Sequence, residues 1–154
     1  MKRFVAIDPG INGALVFFED GKPMHVYDMQ TVVRGKKKNV DSFLTHMLFA
    51  AHNPEAAIIE RVGASPRMGV SSAFNFGHSA GIIEGICAGF ELPTHFITPQ
   101  RWKTMLGLLK QEKDVARTKA LDMFPHLHEQ LKLKKHVDRA DAILIGVAWT
   151  RINK

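Results

Sequence analysis

Residues 3–29 have the sequence RFVAIDPGINGALVFFEDGKPMHVYDM, and this stretch decides the fold class. A short apolar run ends at the DPG triplet of residues 8–10, which is typical of a strand that enters a turn. A second apolar run is followed by the Asp20-Gly21 pair, which favours a tight hairpin turn because both residues tolerate positive φ. Three strands joined by hairpins are therefore predicted, over 3–7, 13–18 and 23–29.

Strands and helices alternate in the rest of the chain. A loop that carries three lysines is expected over 30–39, and apolar residues from Val40 to Ala51 recur at helical spacing. Two further strands are predicted over 56–59 and 94–97. Helices are predicted over 40–52, 71–89, 99–106, 113–124 and 138–151. This order predicts an α/β domain, one over residues 1–154, in which a five-stranded mixed sheet is flanked by helices.

The composition narrows the class of protein. A formal net charge of +6, from 21 Lys+Arg and 15 Asp+Glu, is compatible with a polyanionic partner, and equally with solvated helix faces. The one cysteine, Cys87, excludes an internal disulfide framework and a multi-thiolate zinc site. The basic start meets Asp8 too soon for a signal peptide, and the apolar stretch 80–90 is too short for a membrane span. We therefore expect a cytoplasmic protein without a membrane partner.

Carboxylates stand where predicted elements begin or end. Asp8 closes the first strand and Glu60 closes the fourth, and if these strands are parallel neighbours the two acids lie together at the carboxyl edge of the sheet. Asp138 and Asp141 lie three residues apart near the start of the last helix, on one face. Each acid except Glu60 also has a purely structural interpretation. Asp8 is compatible with a turn residue, Asp138 with a helix N-cap, and Asp141 with a position that the helix dipole favours. These interpretations do not explain why Glu60 ends a β-strand without a turn role.

Four carboxylates in one pocket indicate a metal site. Two like charges about 4 Å apart cost about 4 kcal/mol at an effective dielectric of about 20, so the group would take up protons or spread apart without cations. Oxygen-only ligands suit Mg²⁺ or Mn²⁺ rather than zinc. Two such ions about 3.5–4 Å apart are the usual apparatus for attack of water on a phosphodiester. The acids therefore predict a metal-dependent nuclease.

Four segments in order carry a resemblance to a known family. They are 6–14 (AIDPGINGA), 57–60 (AIIE), 98–103 (TPQRWK) and 138–142 (DRADA). They resemble the motifs of the RuvC-like Holliday-junction resolvases, which belong to the ribonuclease H-like superfamily, and the match spans nearly the whole chain. The short loop after the DPG triplet is similar to phage-type members, which implies a bacterial cell or a phage-infected host.

The resemblance implies a function and a set of site residues. The family nicks two strands of a four-way DNA junction symmetrically during recombination and repair, and leaves 5′-phosphate and 3′-hydroxyl ends. By resemblance the catalytic acids bind two Mg²⁺ ions per active site, for which Mn²⁺ is expected to substitute; they are Asp8, Glu60, Asp138 and Asp141. Lys103 and Lys113 match positions where the family places phosphate-contacting lysines.

Other basic residues are DNA-binding candidates on charge and position. They are Lys36, Lys37 and Lys38 in the predicted loop, Arg67 after Glu60, and Lys134 and Lys135 before the last helix. Contacts of this kind read DNA shape rather than sequence, and 6–10 of them lose about 10³–10⁵ in affinity between 50 and 200 mM salt. His136 is left open, as a ligand of metal or phosphate or as an exposed loop histidine.

Glycines recur every four residues along the predicted helix 71–89. Each costs up to about 1 kcal/mol relative to alanine, so the stripe requires a reason: close approach of another backbone. The partner is either the protein's own sheet or a second copy. In the resembled family the equivalent helix forms the dimer interface, and a two-fold dimer suits symmetric cutting. The expected interface residues are Gly77, Gly81, Ile82, Gly85 and Ile86, with Ile83 as a further apolar contact.

One departure from the family keeps alternatives open. The bacterial cellular enzymes carry an aromatic residue shortly after the second-motif glutamate that helps to disrupt base pairing, whereas residues 61–64 here are RVGA. A broader branched-DNA nuclease acting on flaps and forks is therefore an alternative, as is a non-catalytic DNA-binding module, although all four acids are present. A phosphotransferase of the actin and sugar-kinase type needs two such domains, for which 154 residues leave no room.

Overall fold

The computed structural model describes residues 2–154. Five of the seven strands in the described chain form one sheet, in which the third, second, first, sixth and seventh strands of the chain lie side by side in that order. The first three are antiparallel neighbours: β1 (Arg3–Asp8), β2 (Ala14–Glu19) and β3 (Lys22–Asp28). The last two, β6 (Ala57–Glu60) and β7 (Thr94–Ile97), run parallel to β1. The predicted five-stranded mixed sheet is confirmed.

Helices cover both faces of this sheet. On one face lie α1 (Ser42–His52) and α2 (Val70–Gly89). On the other lie α3 (Pro99–Met105), α4 (Lys113–Met123), the short α5 (His128–Leu131) and α6 (Val137–Ile152). The alternation of side chains along a strand separates the two cores, since Val5 and Ile7 face α2 whereas Phe4 and Ala6 face α6. None of the helices in residues 2–154 combines the length and apolar character that a membrane span requires.

Helix α6 lies unusually close to the sheet. Residues from Ala142 to Ala148 along it are buried, so it is apolar all round rather than amphipathic. A Cβ atom added at Gly146 would lie 2.2 Å from the Phe18 ring on β2. Glycine at this position is what allows the helix to approach, and the close contact fixes α6 relative to the strand edge.

The prediction of a loop over 30–39 was wrong. Two further strands, β4 (Thr31–Arg34) and β5 (Lys37–Val40), form a separate antiparallel hairpin with its tight turn at Gly35, where φ is +63°. β-branched residues at 31–33 favour a strand, and the run of lysines hid this signal. The three lysines therefore project from a hairpin, referred to below as the lysine hairpin.

The helix predicted over 40–52 is confirmed, but the face that the apolar spacing selected is not the buried one. Thr45 and Phe49 are the buried residues of α1, whereas Phe43 and Met47 are 68% and 50% exposed. Thr45 tolerates burial because its hydroxyl donates to the Asp41 carbonyl, 2.7 Å away. The packing of Phe49 against the sheet therefore determines which face of α1 is buried.

Candidate active site

The carboxyl ends of β1 and β6 bring two acids together. These strands are parallel, with Ile7 paired with Ile59, so Asp8 and Glu60 occupy the next position on adjacent strands. Both side chains line the same cavity, which opens at this edge of the sheet. The condition under which the sequence places these two acids together, that the first and fourth predicted strands are parallel neighbours, is met.

The start of α6 carries the other two acids over this edge, with Asp138 in the first turn and Asp141 directly after it. An ion pair holds it there: the Arg139 Nε and Nη2 atoms donate to the two carboxylate oxygens of Asp28 at 2.7 and 2.9 Å. Asp28 ends β3, so this bidentate contact ties the start of α6 to the far side of the sheet. Asp138 lies inside the helix rather than capping it, because His136 occupies the N-cap position.

The loop between β1 and β2 is packed against the backbone of Asp8. A Cβ atom added at Gly13 would lie 1.9 Å from the Asp8 carbonyl oxygen, so no side chain fits there. The Gly13 amide donates to the Gly10 carbonyl at 3.0 Å and closes the loop. Gly10 has φ of +118°, a conformation that favours glycine. The DPG triplet and Gly13 together fix the direction in which Asp8 leaves the strand.

Three carboxylates converge in the resulting cavity. Oxygen atoms of Asp8, Asp138 and Asp141 all lie within 4.8 Å of one another. Their cavity, referred to below as the acid cavity, has a volume of about 360 Å³. The charged residues that line it are Asp8, Glu60, Lys103, Lys113, Asp138 and Asp141.

Burial and mutual repulsion raise the proton affinity of this group. Burial, reinforced by the charges of Glu60, Asp141 and Asp138, raises the pKa of Asp8 to about 8. Burial raises the pKa of Asp141 to about 7, even though Lys103 opposes the change. Burial also raises the pKa values of Asp138 and Glu60. Close carboxylates in a desolvated pocket hold protons unless a cation replaces them.

Glu60 stands at the side of this group. Its Oε1 atom accepts a hydrogen bond from the indole Nε1 of Trp102 at 2.8 Å, and Trp102 is the fully buried residue of α3. A buried indole N–H needs an acceptor, so the bond satisfies Trp102 and fixes one oxygen of Glu60. The contact opposes the effect of burial on the pKa of Glu60.

The donor set fits a hard divalent cation. The three clustered ligands are carboxylates, and oxygen-only sets of this kind suit Mg²⁺ or Mn²⁺. Within the described residues, the group that could hold an ion consists of Asp8, Asp138 and Asp141, and Glu60 lies beside it on the same cavity.

Four of the predicted DNA-binding lysines lie at or beside the acids. Lys103 and Lys113 line the acid cavity. Lys38 and Lys135 line an adjoining cavity that reaches Asp138 from the other side. The lysine hairpin therefore stands next to the acids, and its Lys37 Nζ donates to the Ser71 hydroxyl on α2 at 3.0 Å.

The other predicted polar residues lie further out. Lys36, Arg67 and Lys134 are exposed, and none of them lines the acid cavity. The interpretation of His136 as an exposed loop residue was wrong, because its side chain is buried and Nδ1 accepts from the Leu133 amide at 3.3 Å. Burial and the nearby Arg139 lower the pKa of this imidazole.

The glycine stripe on α2 faces away from the protein's own sheet. Gly77, Gly81, Gly85 and Gly89 are exposed, and no atom lies within 4 Å of the position of a Cβ at any of them. The interpretation that they pack against the sheet was therefore wrong. Ile83 is fully buried and Ile82 and Ile86 pack partly against the core, so the expectation of Ile83 as an intermolecular contact was wrong too.

Sequence reasoning missed Trp102, Asp28 and Arg139 as parts of this site. Trp102 was quoted within a motif, but nothing in the sequence pairs it with Glu60, which is 42 residues away. Arg139 lies between two predicted acids, and its position inside the DRAD segment was a usable signal. Asp28 has no comparable signal, since it ends a strand 111 residues from its partner.

Comparison with solved structures gives the fold of the chain. Thermus thermophilus RuvC in complex with a Holliday junction substrate superposes with a TM-score of 0.62 at 15% identity, covering 99% of this chain and 96% of that chain. This chain has the RuvC fold. A second Thermus thermophilus RuvC structure gives a TM-score of 0.57 at 16% identity, over 98% and 96% of the two chains.

A eukaryotic resolvase shares the same architecture. The yeast mitochondrial Holliday junction resolvase Ydc2 superposes with a TM-score of 0.54 at 16% identity, covering 97% of this chain and 79% of that chain. Comparison with protein-family profiles and with curated protein sequences gives no match. The likeness to RuvC is therefore one of fold alone.

Proposed function

We propose that the chain is a metal-dependent endonuclease that resolves four-way DNA junctions by paired, symmetric nicking, and that residues 1–154 form its single nuclease domain. The observation that carries this proposal is the convergence of Asp8, Asp138 and Asp141 within 4.8 Å, on a RuvC fold. Two separated segments, the end of β1 and the start of α6, deliver these carboxylates to a cavity that Lys103 and Lys113 also line, and this arrangement supports phosphodiester chemistry.

Each residue of the acid cavity has a part in this scheme. Asp8, Asp138 and Asp141, with the free oxygen of Glu60, would hold two Mg²⁺ ions, with Mn²⁺ able to substitute. When bound, the ions supply activation of water and stabilisation of the leaving 3′ oxygen, so the products carry 5′-phosphate and 3′-hydroxyl ends. Lys103 and Lys113 would bind the phosphate oxygens and keep the DNA backbone over the acids.

The exposed α2 face supports a homodimer. Four glycines in register leave a flat strip where a second backbone can approach, and Val70 and Phe74 on the same helix are 88% and 71% exposed. Two copies related by a two-fold axis would present two acid cavities to a junction with the same symmetry. The interface we propose contains Gly77, Gly81 and Gly85, with Ile82 and Ile86 at its margin.

The test uses a synthetic four-way junction, a flap and a linear duplex of matched sequence, incubated with Mg²⁺ or Mn²⁺. We expect paired nicks at the junction, and we expect Asp8→Asn to abolish cutting while junction binding in Ca²⁺ survives. The matched control is Asp20→Asn, in an exposed turn at the opposite end of β2. Preferential cutting of the flap would establish the broader branched-DNA nuclease, and binding without cutting under either metal would leave a DNA-binding module.

A further inference from the structure

A second cavity, of about 440 Å³, adjoins the acid cavity at the end of β3. Asp138 and the loop residues 11–13 line both cavities, so the two spaces are continuous. Lys38 of the lysine hairpin and Lys135 of the segment before α6 also line this second cavity, which is referred to below as the hairpin cavity. A DNA strand whose scissile phosphate lay over the acids would have the hairpin cavity within reach of a neighbouring phosphate.

The lysine hairpin presents one of its two faces to this cavity. Val33 pairs with Lys38 across the hairpin, and alternate residues of a strand share a face, so Thr31 lies on the same side as Lys38. Thr31 and Lys38 both line the hairpin cavity. Lys37 lies on the opposite face, where its Nζ atom donates to the Ser71 hydroxyl on α2. One face of the hairpin is therefore tied to α2, and the other is left to the cavity.

Two arginines hold the segment that carries the second lysine of the cavity. Arg117 on α4 donates through Nη1 to the Leu131 carbonyl at 2.9 Å. Arg139 on α6 donates through Nη1 to the Gln130 carbonyl at 3.0 Å. These contacts fix the backbone shortly before Lys135. A charged side chain on a backbone that is already fixed requires less ordering when it binds a ligand.

Lys38 and Lys135 are exposed, and their charges are not neutralised by a nearby acid. Neither lysine forms an ion pair with any residue of the described range 2–154. The cavity also contains two carboxylates, but both oxygens of Asp28 accept from Arg139, and Asp138 is shared with the acid cavity. The two ammonium groups are therefore available to an anion from outside the chain.

The lining of the hairpin cavity suits a phosphate group rather than a base. Its hydrogen-bond donors include the two lysines, the Thr31 hydroxyl and the Asn12 side-chain amide, and no aromatic ring is among the described residues that line it. Lysine and hydroxyl or amide side chains contact phosphate oxygens in protein–DNA complexes, whereas unpaired bases stack on aromatic rings.

We propose that Lys38 and Lys135 together bind the phosphate next to the scissile phosphate on the cut strand, an inference that rests on the proposed nuclease function. Lys103 and Lys113 lie in the acid cavity, and the other two lysines lie in the hairpin cavity beyond Asp138. The strand is then held at two successive phosphates, and the lysine hairpin supplies half of the second phosphate site.

The experiment neutralises DNA phosphates one at a time. The nick is first mapped on a four-way junction with Mg²⁺. Methylphosphonate, which is uncharged, then replaces each phosphate that flanks the nick, and binding is measured in Ca²⁺. We expect one flanking position to weaken wild-type binding about 10-fold, the equivalent of one charge-assisted hydrogen bond. Lys38→Met and Lys135→Met should weaken binding of the unmodified junction by a similar factor, and methylphosphonate at that position should then have little further effect.

The chain offers a matched control for each lysine. Lys36 lies in the tight turn of the same hairpin, and Lys134 directly precedes Lys135. Both control residues are exposed, and neither lines the hairpin cavity. Lys36→Met and Lys134→Met remove the same charge but should keep the full sensitivity to methylphosphonate at the flanking position. Thermal melting of each variant shows whether it is folded.

The outcomes separate this inference from the nuclease function. If the wild-type protein cuts junctions, and Lys38→Met or Lys135→Met keeps the sensitivity of the controls, the second phosphate site is wrong and the nuclease function stands. Junction cutting without sensitivity at any flanking phosphate has the same meaning. Equal losses in all four lysine variants would show a general effect of charge and would also overturn the site. If the wild-type protein cuts no branched DNA under either metal, the nuclease proposal fails, and this inference fails with it.

Discussion

Asp8 is the residue whose protonation is most altered by folding. Its pKa is about 8 in the folded chain and 3.8 ordinarily, so the folded form keeps a proton that the unfolded form has lost between these values. The contribution of Asp8 to stability therefore falls as pH rises from about 4 to about 8. Above that window, folding carries the full free-energy cost of burying the charged carboxylate.

Removing this carboxylate should stabilise the metal-free protein. We expect Asp8→Asn to raise the free energy of unfolding at pH 8 by more than about 1.4 kcal/mol, the equivalent of a single pKa unit. Near pH 4 the two proteins should converge. Chemical unfolding in EDTA at several pH values measures both. A wild-type stability that is level across this window, with no gain in the variant, would contradict the assigned burial and repulsion.

Trp102 is a positioning residue, because it acts through Glu60. Its indole N–H fixes one oxygen of Glu60, so the other oxygen keeps a defined direction toward the acid cavity. We expect Trp102→Phe to weaken Mg²⁺ binding by about 10-fold, the lower end of the range found for groups that orient metal ligands. Titration calorimetry measures the affinity without reference to activity.

A double-mutant cycle separates this role from packing. In a Glu60→Gln background the Trp102→Phe change should have little further effect on Mg²⁺ affinity, because the oriented carboxylate is already lost. An equal loss of affinity in both backgrounds would mean that Trp102 acts through the core rather than through Glu60.

At the scale of elements, the placement of α6 depends on its ties to the sheet. The Arg139–Asp28 ion pair holds the first turn, and Gly146 allows close contact further along. We expect Arg139→Met to reduce cleavage by about an order of magnitude while the fold survives, because Asp138 and Asp141 lose their fixed position. Arg151→Met, at the exposed end of the same helix, is the matched control.

Asp28→Asn tests the same tie from the other side. Its effect on cleavage should resemble that of Arg139→Met, and the double variant should lose little more than either single variant. Steady-state cleavage rates at saturating Mg²⁺ measure this. Additive losses would show that the two residues act independently and that the ion pair does not position α6.

The main strands and helices could be predicted from local sequence patterns. The contacts between them could be predicted only in part. Apolar runs ended by acids were sufficient to place Asp8 and Glu60 at the ends of two strands, but not to show that these strands are neighbours. The face of α1 could not be predicted, because Phe43 and Met47 look like core residues and the packing of Phe49 decides otherwise. The Trp102–Glu60 and Arg139–Asp28 contacts join distant segments, and a single sequence contains no record of such pairs.

For the whole molecule, the open face of α2 gives the sharpest prediction. A Cβ atom added at the exposed Gly81 has no neighbouring atom within 4 Å, so Gly81→Leu should fold with unchanged or higher stability. In the proposed dimer the same side chain would keep two helices apart, and we expect the measured mass to fall to that of the monomer. Light scattering after size-exclusion chromatography decides the point.

The control for this variant is Ala50→Leu, on the exposed side of α1, which should leave the mass unchanged. Junction cutting by Gly81→Leu should lose its paired character and leave single nicks, because one acid cavity then acts alone. A Gly81→Leu protein that keeps the mass and paired nicking of the wild type would place the interface elsewhere.

Gly13 has a consequence for how this molecule can vary. Its backbone φ lies outside the positive range, so the requirement for glycine comes from the Asp8 carbonyl group, whose oxygen and carbon would lie 1.9 and 2.8 Å from an added Cβ atom. Every other encoded amino acid adds the atom that collides there. In a library randomised at each codon, every replacement of Gly13 should therefore be lost to about the same extent, whatever its size. Gly69 has open space around it and should accept many replacements.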